Sequence, residues 1–196
     1  MIPLTLILIG ANALLSLYAF TQPDVVSQFA HSPYDVRRRN RWYQLVTSGF
    51  LHADLGHLLM NMMTLYFFGP WCERALGPAG FLIVYFGALL FGSLLTQVFH
   101  QNDPRYHGVG ASGAVSGVLF SFILFRPLDK IYLFFVPIGI PAVLFAVGYL
   151  AASIWGMKTR WGNLGHEAHL GGAVAGLVLT LLLRPEAARI FIEHFR

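Results

Sequence analysis

Four polar residues in an otherwise apolar chain have the types needed for acyl transfer: Ser112, His169, His57 and Asn61. A serine hydroxyl is a weak nucleophile and needs a base within hydrogen-bond reach. A neutral imidazole takes up a proton and returns it near pH 7, so His169 suits that part. The oxyanion that forms needs donors. The Ser112 amide, at a predicted helix start where the backbone dipole is positive, is one candidate. The side chains of His57 and Asn61, four residues apart on one helix face, are the others. Glu167 is the only nearby carboxylate, but residues two apart do not share a helix face. A Ser-His dyad is therefore expected, without Glu167 as a third member.

The elements that must bring these residues together are membrane spans. The chain has 196 residues, of which 56% are hydrophobic and 11% charged. An ordinary soluble domain is about 25% charged. Mean hydropathy is +0.61. This composition excludes a disordered chain, a basic nucleic-acid-coating protein and a typical water-soluble enzyme. The expected fold is all-α, a single polytopic membrane domain over 1–196 built as a six-transmembrane-helix bundle. Its spans are read at about 2–20, 57–71, 81–99, 110–125, 131–157 and 166–183, with a long ordered loop at about 21–56. The first run is read as a span and not a cleaved leader, since no Lys or Arg precedes it. Pro137 and Pro141 predict a kink or a distorted first half for the fifth span. Single Cys72 forms no internal disulfide and no metal cluster. The basic run Arg37, Arg38, Arg39 and Arg41 fits contact with membrane lipid headgroups, and no soluble basic face for nucleic acid is visible. Lys and Arg divide almost evenly between the two sides, so charge bias does not orient the chain.

Depth then ties the polar residues together. Spans two, four and six run in the same direction and end at Arg74, Arg126 and Arg184. Asn61, Ser112 and His169 lie 13, 14 and 15 residues before those arginines. At about 1.5 Å per residue, all three sit roughly 20–23 Å from the same face. The hydrocarbon layer is about 30 Å thick, so they share a layer roughly 10 Å below the opposite surface. Singly, each has a plainer role in helix packing or backbone bonding. Together, at one depth, they mark a site. The glycines agree: Gly110, Gly113 and Gly117 flank Ser112, and His169, Gly172 and Gly176 fall on one helix face, which allows close approach.

At these residues the sequence resembles the rhomboid family of intramembrane serine proteases, in its bacterial six-helix form. Gly110-Ala111-Ser112-Gly113 is similar to the family's GxSG motif. His57-Leu58-Leu59-Met60-Asn61 resembles its HxxxN motif. Gly165 to Gly176 resembles its last helix, with His169 followed by glycines. Phe50 to Asp54 and Glu73 to Gly77 are also rhomboid-like. The likeness runs from about Trp42 to Leu183. It implies Ser112 as nucleophile, His169 as base, and His57, Asn61 and the Ser112 amide as oxyanion donors. It further implies cleavage of single-span transmembrane proteins, no metal or cofactor, a cell-membrane location with the N-terminus in the cytoplasm, and a fifth helix and following loop that gate and cap the site. Two positions depart from the pattern: Gln44 stands where the family often has Arg, and Ser116 where well-known members carry a Tyr packed on the catalytic His.

Three other readings compete. A client-binding relative without activity usually loses the Ser or the His, and both are retained here. A transporter would pair charges across its spans, and none are paired. A zinc peptidase wants H-E-x-x-H, and His166-Glu167-Ala168-His169 has the wrong spacing.

Overall fold

A computed structural model of the chain describes residues 2–132, 138–159 and 165–196. The first apolar run forms α1 (Leu4–Phe20). The first amides of a helix have no partner within it, and in a bilayer each unsatisfied group costs several kcal/mol. Here Glu73 supplies the partner from another helix. Its two carboxylate oxygens accept from the Leu4 and Thr5 N–H groups at 2.8 and 2.9 Å, and the Thr5 hydroxyl donates to it as well.

Glu73 belongs to α5 (Leu55–His100), a helix of 46 residues. At about 1.5 Å per residue that is over twice the hydrocarbon thickness. It bends at Gly77, whose φ of 74° and ψ of 165° leave the helical region. That φ favours glycine, and Pro78 follows where its missing N–H costs nothing. The two arms, 55–76 and 78–100, correspond to the second and third expected spans. They are two helices that meet without a loop, at the single non-helical residue Gly77.

The polar stretch before α5 is ordered into α2 (Pro23–Phe29), α3 (Pro33–Arg39), α4 (Gln44–Thr47) and a tight turn at Ser48–Phe50. Side chains satisfy its irregular backbone. Gln44 is fully buried; its oxygen accepts from the Ser32 N–H and its amide donates to the Gln28 carbonyl. Gln44 thus anchors this segment as a neutral group. His31 exchanges both backbone hydrogen bonds with Gly108 and places its ring Nε2 3.1 Å from the Gln97 side-chain oxygen.

α6 (Ser112–Phe125) is the centre of the bundle: every residue after Ser112 is buried. A helix apolar all round belongs inside. α8 (His166–Leu183) packs on α6 and on the second arm of α5, and α9 (Glu186–Glu193) tucks Ala187 against Leu76, Leu124 and Phe125.

The fifth segment has the distorted first half that its prolines predict: among the described residues its helix, α7 (Ala142–Thr159), begins later than the span boundary expected near residue 131. Before it, β1 (Lys130–Tyr132) and β2 (Gly139–Pro141) pair antiparallel. Pro141 has no N–H for a helical ladder, which fits a start just after it. Pro137 and the loop after α7, residues 160–164, lie outside the described residues. α5, α7 and α8 are long and apolar enough to cross a membrane, and α1 and α6 are shorter apolar helices. The architecture is an all-α polytopic membrane fold.

Two buried histidines outside the spans make stability depend on pH. Burial pushes the imidazoles of His31 and His52 down to about 4. The unfolded chain takes up protons first, near pH 6.5, so stability is greatest above that value and falls toward pH 4. Each group contributes at most about 1.4 kcal/mol per pH unit in that window. Thermal unfolding in detergent should show a midpoint that drops between pH 7 and 5. The drop should be smaller in His31→Asn.

Candidate active site

The site is built where α6 and α8 cross. A Cβ at Gly172 would lie 2.1 Å from the Gly113 carbonyl oxygen, and one at Gly176 would lie 2.3 Å from that of Gly117. No side chain fits at either position, so the two backbones touch directly. One residue before Gly113 is Ser112, and three before Gly172 is His169. The crossing therefore brings the first turn of α6 against the first turn of α8. A hydrogen bond from the Thr180 hydroxyl to Ser121 fixes the register two turns deeper. On its other side, α8 meets α5 in the same way, with Gly171 against the backbone of Gly92.

The loop entering α6 is held at three successive points. Gly108 pairs with His31, the Gly110 N–H donates to the Ser48 carbonyl at 3.0 Å, and the Ala111 N–H donates to His52 Nε2 at 3.4 Å. His52 Nδ1 lies 2.8 Å from the Ser16 hydroxyl, which also donates to the Phe50 carbonyl. These bonds admit one proton arrangement. Nε2 accepts, so Nδ1 carries the hydrogen and donates to Ser16, whose own proton goes to Phe50. A neutral ring is required, in keeping with the lowered titration of His52. Gly110 has φ of 133°, and a Cβ there would lie 2.6 Å from His57 Cε1. The His57 ring thus rests on the backbone two residues before Ser112.

His57 also meets His52 edge to face at 5.0 Å. Asn61 is buried one turn deeper, and its amide donates to the His57 carbonyl at 3.2 Å. Asp54 caps this arm of α5 by accepting from the His57 N–H at 2.8 Å.

His169 faces α7. Its ring centre lies 5.8 Å from that of Tyr149, with the planes 32° apart. The Tyr149 hydroxyl bonds the Ser116 hydroxyl, which donates to the Ser112 carbonyl at 2.7 Å. Glu167 points elsewhere: its carboxylate lies 3.3 Å from His100 Nε2, without hydrogen-bond geometry. Tyr106 stacks on His100 at 3.8 Å.

The structure thus gathers Ser112, His169, His57 and Asn61 at one end of the bundle, with Gly110, Gly113, Gly172 and Gly176 as the close contacts between them. Two participants were missed as site residues in the sequence. His52 could have been suspected from its spacing of five before His57 and from buried Ser16 in an apolar span. Tyr149 has no local signal; only the packing of α7 brings it to His169.

A family model described as a Rhomboid domain matches residues 39–186 of the chain. The chain belongs to the rhomboid family. The matched range holds all four polar residues and ends just past α8. RHOMBOID-like protein 12, mitochondrial, of Arabidopsis thaliana is 32% identical, over 92% of this chain and 58% of its own length. The rhomboid protein YdcA of Bacillus subtilis is 38% identical, over 72% of this chain and 67% of its own. Rhomboid protease GluP of the same organism is 28% identical, over 83% of this chain and 30% of its own. The chain therefore spans little more than half of the Arabidopsis protein, under a third of GluP and two thirds of YdcA. In this rhomboid, Gln44 joins Ser32 and Gln28 by neutral hydrogen bonds, and the Tyr149 ring lies against His169.

The helix crossing predicts unequal effects of one methyl group. Gly172→Ala, which meets backbone, should lower stability by about 1–3 kcal/mol or more. Gly10→Ala, with nothing within 4 Å, should be neutral or slightly stabilising. Unfolding midpoints in detergent compare the two.

Proposed function

We propose that the chain is an intramembrane serine endopeptidase that cleaves single-span membrane proteins with a Ser112–His169 dyad. The observation that carries this reading is the crossing of α6 and α8 at Gly113 and Gly172, which sets the first turn of α6, with Ser112, against the first turn of α8, with His169. In the proposed reaction His169 takes the Ser112 proton as Oγ attacks the scissile carbonyl, and then gives it to the leaving amine. Water, deprotonated by the same imidazole, hydrolyses the acyl-enzyme. The oxyanion is held by the Ser112 N–H, by His57 and by Asn61. The Asn61 amide must turn from the His57 carbonyl to do so.

A substrate helix hides its carbonyls in its own hydrogen bonds. Segments that unwind easily near the end of a span are therefore the proposed targets. Family membership places the chain in a membrane. The mitochondrial name of one relative removes the ground for choosing a bacterial cell membrane in particular.

Detergent-solubilised protein incubated with a helix-destabilised single-span substrate should cut it, and Ser112→Ala and His169→Ala should not. Retained cutting by Ser112→Ala contradicts the mechanism. Asn61→Ala should fold and lower turnover by less than the roughly 10²–10³ upper range for an oxyanion donor, because His57 and the backbone share the load.

A further inference from the structure

We propose that Tyr149, on α7, is the positioning residue for both members of the catalytic pair, so that the geometry of the dyad depends on the docking of α7. The proposal rests on the protease reading above and extends it to a residue outside the motifs that support that reading.

The geometry is two-sided. The Tyr149 ring packs on the His169 ring at 5.8 Å. Its hydroxyl reaches across to Ser116 on α6. Ser116 has one proton, and a 2.7 Å bond spends it on the Ser112 carbonyl. Tyr149 must then be the donor to Ser116. One side chain thus restricts the imidazole on one side and, through a single hydroxyl, the backbone of the nucleophile on the other. Tyr149 is fixed in turn by Phe120 at 5.6 Å and Phe145 at 5.9 Å, while its own carbonyl accepts from Ser153.

The hold comes from the least enclosed span. Only 22% of α7 is buried, against 44% of α8. α7 meets α8 through Tyr149 on His169 and through Gly156 beneath His166, where a Cβ would lie 2.3 Å from the ring. At its start it is tied by the Ala142 and Val143 N–H groups, which donate to the Asp129 and Pro127 carbonyls. An outward displacement of α7 withdraws Tyr149 from His169 and Ser116 together. The imidazole then loses its ring contact, and Ser116 loses the donor that directs its proton to Ser112. Misplacement on the scale of an ångström costs up to about 10²-fold in rate.

The test compares wild type, Tyr149→Phe, Tyr149→Ala, Ser116→Ala and the double variant Tyr149→Phe/Ser116→Ala. The readouts are kcat and KM on a single-span substrate, the rate of labelling by a fluorophosphonate, and the unfolding midpoint. Tyr149→Ala should lower kcat and the labelling rate by about 10–100-fold with KM within about twofold. Tyr149→Phe keeps the ring and should recover most of that loss, being down about 3–10-fold. The double variant should be no slower than the slower single, because both remove one hydrogen bond. Labelling and kcat within about twofold of wild type in Tyr149→Ala overturn the proposal, as does full multiplication of the two single effects in the double variant. If Tyr149→Ala does not fold, Tyr149→Phe and Ser116→Ala decide by the same cycle. A wild type that neither cuts nor labels overturns the protease reading itself. A wild type that does both, beside an unaffected Tyr149→Ala, overturns only the role of Tyr149.

Discussion

The direct contact of the α6 and α8 backbones is the constraint on which the rest of the structure depends. Without a hydrophobic driving force between helices in lipid, close van der Waals approach must hold them together. Glycine at 113, 117, 172 and 176 permits that approach. It brings a serine and an imidazole on two different helices together without either leaving its helix. The other helices serve this crossing. The second arm of α5 presses on α8 through Gly92, and α1 is tied to the first arm through Glu73. The loop before α6 is fixed by His31, Ser48 and His52.

These supports are mostly neutral. Gln44 anchors the long polar segment without a charge, and His52 works only as an uncharged ring that accepts at Nε2 and donates at Nδ1. That choice suits a bilayer, where an unpaired charge is expensive and a satisfied neutral bond is not. Glu73, the charged exception, faces three donors. Glu167 is turned toward His100 and Tyr106, so His169 has no carboxylate behind it from its own helix. In place of an acid, an aromatic ring lies against His169.

Much of the fold was legible because its signals are local. Apolar runs mark spans, and the arginines that end three of them measure depth. From these, Ser112, His169 and Asn61 fall into one layer, and the glycine spacing identifies the faces that meet. Other features depend on tertiary contact. The second and third spans read as separate in the sequence, and they are two helices that meet at Gly77 with no loop between them, because glycine takes up the single non-helical residue. The apolar run from 131 reads as a span with a distorted first half, and α7 begins at Ala142, just after Pro141. Ser116 looks like the loss of a tyrosine; only the packing of α7 reveals Tyr149 against His169. The role of His52 is hidden for the same reason, since its partners Ser16 and Ala111 are far away in sequence.

The central claim is that Ser112 is the activated nucleophile of this crossing. Its most direct measurement is the site of covalent modification by a serine-directed fluorophosphonate, read by peptide mass spectrometry on wild type and His169→Ala. The account predicts a phosphonylated Ser112 in wild type and little or no adduct in His169→Ala. An adduct on Ser116, or equal labelling of Ser112 with and without His169, would contradict it.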